Sequence, residues 1–165
     1  MSEQLAGWFV ENLGGVISPE AIVFLVSLLP ILELRGGIIT GFLLGLDLSQ
    51  SFLIAFIGNI IPIPFILMFI KFIFRQMKKT RLKGMVEKLE TKAIGKSDQI
   101  QKYAYLGLLI FVGIPLPGTG AWTGSLIAAL LNMDVKKSFV AIILGVIMAG
   151  IIMSIFSYGL LDAVL

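Results

Sequence analysis

Glu33 and Arg35 are the residues whose chemistry stands out. They lie two apart in PILELRGG (30–37), inside an otherwise apolar run. A charge set deep in an apolar segment costs several kcal/mol, roughly 2.5–3.5 by insertion scales, so each must face a partner or water. Arg35 keeps its proton at any relevant pH and presents a planar fork suited to phosphate or carboxylate. Glu33, held out of water, could exchange a proton or couple to sodium. Gly36 and Gly37, with Pro30 before them, would free the backbone from helical pairing and let amides and carbonyls meet a ligand. The same pair could instead be structural, an ion pair within the tip or a contact across to a second one.

That second candidate tip is PLPGTGAWTG (115–124). It carries no formal charge, but Pro115, Pro117, Gly118, Gly120 and Gly124 open its backbone. Thr119 and Thr123 add hydroxyls and Trp122 an indole. Arg35 could find carbonyls there, or the hydroxyls of Thr119 and Thr123. Gly-Thr-Gly matches no phosphate-binding loop, and its interest lies in its place inside an apolar run. Trp122 could also be plain packing. Asn59, followed by Pro62 and Pro64, marks a kink and a polar group at depth, free to bond a tip or only a neighbouring helix. Asp47 and Asp134, each four residues before Ser-Phe, read as helix caps.

Holding such residues requires a bilayer. Hydrophobic residues are 58% and charged residues 14% of 165, too apolar for a soluble domain of this size to hide from water. Cysteine and histidine are both absent, which removes thiolate chemistry and the commonest metal ligand and argues against an enzyme. No metal, cofactor or nucleic-acid partner is expected. The N-terminus lacks a basic region before its apolar residues and does not read as a cleavable signal peptide.

Four apolar stretches follow one another, at 21–46, 51–74, 105–131 and 139–161. The second and fourth are uninterrupted and long enough to cross roughly 30 Å at about 1.5 Å per residue. The first and third break at the two tips. The arms of the first break, 21–32 and 38–46, reach only about 18 and 14 Å, half a bilayer each. Each broken stretch is either one kinked span or a hairpin that returns to its own side. Charge favours the hairpin. Ten lysines and arginines fall between Lys71 and Lys102, so 75–104 is cytoplasmic. With hairpins, Lys136 and Lys137 join that side, while the acidic N-terminal segment, the 47–50 turn and the C-terminus stay outside.

A repeat points the same way. Shifted by 87 residues, positions 30–60 match 117–147 at nine places, among them Pro30/Pro117, Gly37/Gly124, Asp47/Asp134 and Gly58/Gly145. Chance would give about three. A hairpin plus one crossing is an odd unit, so the second copy must be upside down, a plan common in secondary transporters. Between the copies, Leu82, Met85, Val86, Leu89 and Ala93 form an apolar stripe on a basic helix that would lie on anionic headgroups of the inner leaflet. The segment could equally be a solvated connector. Lys71 and Arg75 would snorkel to the same headgroups. Residues 1–19, with Leu5, Trp8, Phe9 and Leu13, would form an interfacial helix on the outer face.

The pairing of PILELRGG with PLPGTGAWTG, in a chain of this length, resembles the small multi-drug export protein family. That family is similar in architecture to the DedA/VTT membrane superfamily, and the likeness covers about residues 18–161. It implies two facing re-entrant hairpins, with Glu33, Arg35, Gly36, Gly37, Pro117, Gly118, Thr119, Gly120, Trp122 and Thr123 carrying function. It also implies movement of lipids or lipid carriers, or drug tolerance driven by an ion gradient. Unlike a typical DedA-like chain, this one has no acid or arginine at its second tip.

The expectation is therefore an all-α integral membrane protein of the inner or plasma membrane. It is one membrane domain over 1–165: repeat 1 at 20–74, a basic amphipathic cytoplasmic linker at 75–104, and repeat 2 at 105–161. Four intramembrane elements are few for a sealed path, which favours a homodimer. The expected function is transport or flipping of an amphipathic, anionic lipid-like substrate. Export of small molecules and a non-transporting scaffold are the alternatives.

Overall fold

The computed structural model describes residues 17–95 and 98–160, together with Gly7; the side chains of 92, 93, 98–102 and 160 are excepted. The expected outer-face helix around Trp8, the C-terminus beyond 160 and the Ala93 side chain lie outside the described residues. Among the described residues the secondary structure is helical, with no strand.

Local chemistry explains where each helix starts and stops. Helix α1 (Pro19–Leu28) begins at Ser18, whose hydroxyl accepts from the Ala21 amide, with Pro19 at the first helical position. It ends at Leu29 because Pro30 pushes the residue before it to extended backbone, here φ −76° and ψ 134°. Helix α2 (Glu33–Leu43) follows after four residues. Helices α3 (Leu48–Ile60) and α4 (Pro62–Met77) form one apolar run of 30 residues, interrupted only where Pro62 brings no N–H. Next come α5 (Lys83–Ile94) and α6 (Asp98–Gly113), the latter broken by Ala104 at φ 48°. Then follow α7 (Ala121–Leu130) and α8 (Val135–Ser154), which continues into a π-helical turn, Ile155–Leu160.

Two of these runs, Leu48–Met77 and Val135–Gly159, are long and apolar enough to cross a membrane. Their outward faces are apolar as well: Leu53, Phe65, Met68, Phe72, Val140 and Ile155 are each more than half exposed. A surface like that needs lipid or protein against it. The hairpin arms α1 and α2 measure only about 15 and 16 Å.

The 87-residue periodicity carries through to individual bonds. Helix α2 ends with Gly45 N donating to Phe42 O and Leu46 N to Gly41 O. Helix α7 ends with Asn132 N donating to Ala129 O and Met133 N to Ala128 O. This is one Schellman ending built twice, with Gly45 (φ 74°) and Asn132 (φ 57°) in the left-handed position. Asp47 then caps α3 through the Gln50 amide and Asp134 caps α8 through the Lys137 amide, both at 2.9 Å, as the sequence predicts. A Cβ on Gly58 would stand 2.8 Å from the Phe24 carbonyl oxygen, and one on Gly145 would stand 2.8 Å from that of Leu109. The glycines are 87 apart but their partners are 85 apart, because the second tip is two residues longer. An ungapped comparison misses the correspondence of α1 with α6 for that reason.

Side-chain contacts fix which ends meet. Tyr158 donates to the Leu46 carbonyl at 2.9 Å, and Ser51 bonds Tyr158 at 2.5 Å, so the 44–47 turn sits beside the close of α8. Lys71 donates to the Asn132 side chain, and the Asp134 amide donates to the Tyr105 hydroxyl at 3.3 Å. The 131–134 turn therefore sits beside the close of α4, at the other end of the bundle. The tips 29–32 and 114–120 meet between them. Lys71 thus ties down a turn instead of reaching only for headgroups.

The linker departs from expectation too. Helix α5 rests against α7, and Val86 is fully buried, whereas Leu82, Met85 and Leu89 are exposed. The bundle covers the stripe only at Val86; Leu82 and Leu89, a turn to either side on the same face, and Met85 are left exposed. Lys78 and Glu90 pin the helix back at 2.6 Å.

Gly58→Val and Gly145→Val should each lower stability by about 1–3 kcal/mol through overpacking against a carbonyl that cannot move aside. Thermal unfolding followed by near-UV circular dichroism in detergent measures this. Wild-type midpoints for both variants would contradict the close helix approach.

Candidate functional site

Helix α7 has a problem at its start. Its N-cap is Gly120, which offers no side chain, and Gly120 and Ala121 are buried while Trp122 is half-buried. The solution comes from the other hairpin. Glu33 accepts from the Ala121 amide through Oε2 at 3.0 Å and from the Trp122 amide through Oε1 at 3.2 Å. One carboxylate therefore caps α7 from a distance of 88 residues in sequence, aided by the positive end of the helix dipole. Its own need for donors is met by the same two bonds, with 5% of the residue exposed.

This placement has a backbone cost. Glu33 sits at φ 51°, a left-handed conformation that costs an ordinary residue about 1–2 kcal/mol. Charge-assisted hydrogen bonds of about 1.5–3 kcal/mol each outweigh it. Across the contact, Gly120 adopts φ 133°, and a Cβ there would stand 2.7 Å from the Glu33 carboxyl carbon. Only glycine fits both requirements.

Arg35, two residues further along α2, completes the contact. Its guanidinium donates through Nη1 to the Leu116 carbonyl at 2.6 Å and through Nη2 to the Thr119 carbonyl and hydroxyl at 3.0 and 2.9 Å. The second tip is folded to gather those acceptors: the Thr119 amide donates to Leu116 O, and Leu116 N donates to Ile114 O. No ion pair within 4.0 Å joins Glu33 to Arg35. Acid and base each bind the backbone of the opposite tip, so the hairpins are held together by complementary halves.

The remaining expected residues divide. Thr119 meets Arg35, whereas Thr123 lies inside α7 and makes no bond to it. Gly36 and Gly37 do not open the backbone. They lie within α2, where the Gly36 amide bonds Leu32 O at 2.8 Å, and they allow close packing, Gly36 on Leu32 and Val26 and Gly37 on Ser27 and Ala55. The unwound part of the first tip is confined to 29–32, since Pro30 alone suffices to end α1. Pro117 and Gly118 form the exposed elbow of the second tip. Trp122 contributes its amide to Glu33, while its buried indole N–H meets no acceptor. Asn59 is buried, and its Oδ1 meets no donor at either tip. Sequence reasoning passed over Tyr158, which fastens the end of α8 to Leu46 and Ser51; a lone tyrosine near the end of a span was its only signal.

Two long apolar helices with paired short helices and a charged contact between the pairs define a helical membrane protein. Residues 33–152 match the small multi-drug export protein family, and the chain belongs to it. The match begins at Glu33 and takes in both sides of the tip contact. The family description points to a transporter rather than an enzyme. No curated protein and no solved structure matches the chain.

Glu33→Ala should speed hydrogen exchange at the Ala121 and Trp122 amides and cost about 2 kcal/mol or more, because two buried donors lose their acceptor. Glu33→Gln keeps one acceptor oxygen and should cost about half as much. Equal exchange rates in wild type and Glu33→Ala would show that α7 does not depend on this cap.

Proposed function

We propose that the protein is a membrane exporter of small amphipathic compounds, in which the contact between the hairpin tips is the closed gate. One observation carries the reading: a buried Glu33 and a half-buried Arg35 are both held, within an otherwise apolar bundle, by backbone groups of a separate hairpin. A purely structural join between two helices needs no buried charge, since apolar packing holds helices at lower cost. Charges at that depth are characteristic of substrate and ion paths.

In this reading both hairpins are re-entrant, and the two halves are inverted copies related across the mid-plane, a DedA-like plan. Support comes from the tips meeting halfway between turns that lie at opposite ends of the bundle, and from the Schellman endings and caps repeated 87 residues apart. The basic linker and Lys136 and Lys137 then face the cytoplasm. Irregular backbone at mid-depth is tolerated only against protein or water. The exposed elbows around Ile31 and Leu116, which are 65% and 55% exposed, would therefore line a path completed by a second copy.

Opening requires Glu33 and Arg35 to leave their backbone partners together. A proton, a sodium ion or a cationic substrate group arriving at Glu33 weakens its hold on the α7 amides, and the second tip is then held by Arg35 alone. Small-molecule export is favoured over lipid flipping because Arg35 already has three acceptors in the closed contact. An anionic headgroup would have to displace all of them.

Purified protein in liposomes bearing a proton or sodium gradient should extrude a cationic dye such as ethidium, and Glu33→Gln should slow extrusion by at least an order of magnitude while the protein stays folded. Undiminished extrusion by Glu33→Gln would remove Glu33 from the mechanism. If wild type moved a fluorescent phospholipid but no dye, and stopped at Arg35→Ala, flipping would replace export. If neither cargo moved and Glu33→Gln behaved as wild type in cells, a scaffold would replace both.

A further inference from the structure

Helices α6 and α8 approach most closely where Gly145 meets the Leu109 carbonyl, and toward the basic end of the bundle a groove opens between them. Its volume is about 530 Å³. Leu109, Val140, Ala141 and Leu144 form its walls and floor, and Tyr105, Lys136 and Lys137 stand at its mouth. From Leu144 to Lys136 is about 12 Å along the helix. An apolar slot that opens sideways and ends in two lysines and a tyrosine has the polarity of a single membrane lipid.

We infer that this groove binds an anionic glycerophospholipid, its phosphate against Lys136 and Lys137 and an acyl chain along Leu109, Val140 and Leu144. The mouth is equipped for a phosphate. The Tyr105 hydroxyl accepts from the Asp134 amide at 3.3 Å, which leaves its proton to donate. Lys137 lies 5.9 Å above the Tyr105 ring, so its ammonium is held over the mouth by a cation–π contact. Asp134, the acid beside them, is engaged by the Lys137 amide as the cap of α8. An apolar lining about 12 Å long suits a segment of acyl chain rather than a soluble anion.

The groove at the opposite end supplies the contrast. It is larger, about 760 Å³, and is lined by Leu48, Phe52, Ile151 and Tyr158 among others, with no basic residue. Charge complementarity to an anionic lipid is thus confined to one end, the end that carries the basic linker, where the leaflet is itself anionic. The inference does not depend on the export reading. A bound lipid here would fix α6 against α8 whether or not anything crosses the tips.

Native mass spectrometry of the full chain, released from micelles doped with phosphatidylglycerol or phosphatidylcholine in equal amounts, tests this. Wild type should retain phosphatidylglycerol in preference to phosphatidylcholine. Lys136→Ala/Lys137→Ala should lower that retention about thirtyfold, the scale expected for two lost basic contacts to an anionic lipid. Ile155→Trp, which fills the groove at the opposite end without altering charge, should leave it unchanged. Val140→Trp, which fills the slot without altering charge, should lower it as well. Lys136, Lys137, Val140 and Ile155 are all exposed, so the variants should keep the wild-type melting midpoint. Equal retention of the two lipids, wild-type retention by Lys136→Ala/Lys137→Ala or by Val140→Trp, or equal loss in Ile155→Trp would each overturn the inference.

Discussion

The carboxylate of Glu33 on the first two amides of α7 is the interaction on which the rest of the molecule depends. A helix that begins away from water must find acceptors for its leading N–H groups, and Gly120 has none to give. Glu33, equally cut off from water, must find donors. Each deficiency is the other's remedy, and neither hairpin is complete alone. The unusual backbone at Glu33 and the wide φ at Gly120 are local costs of bringing the two together, and Arg35 closes the same contact from the other side by taking the carbonyls of the second tip.

The repeat explains why the tips had to diverge while the turns did not. The turns at 44–47 and 131–134 sit at separate ends and never touch, so one solution serves twice. The tips face each other. By the 87-residue correspondence Glu33 lies opposite in kind to Gly120, and Arg35 to Trp122. Two identical tips would set acid against acid and base against base in a medium that screens neither. Placing both charges on one tip and bare backbone on the other converts repulsion into a matched contact. The longer second tip, with its prolines and glycines, is what allows its carbonyls to fold around the guanidinium.

Much of this plan was legible in the chain. The four apolar stretches, the break in the first and third, the basic segment and the capping aspartates follow from composition, spacing and the chemistry of helix ends, and those act over a few residues. Pro30 ends α1 whatever surrounds it. Asp47 and Asp134 cap whatever helix follows them. The limits of the unwound tips were read too widely, because glycine in sequence looks like an opening, while Gly36, Gly37 and Gly124 serve close packing inside helices. That difference depends on neighbours such as Ser27 and Val112, which are distant in the chain or on another helix.

Local rules, then, determined that this protein must live in a bilayer, where its helices begin and end, and that Glu33 and Arg35 need partners. Which partners they take was decided only by the fold. A carboxylate has no preference in sequence between a nearby arginine and two amides 88 residues away; burial settles it, because the amides are fixed in place by a helix that cannot start without them. The same holds for Val86, Lys71 and Tyr158, whose roles depend on what lies across a helix interface, and no spacing along the chain encodes that.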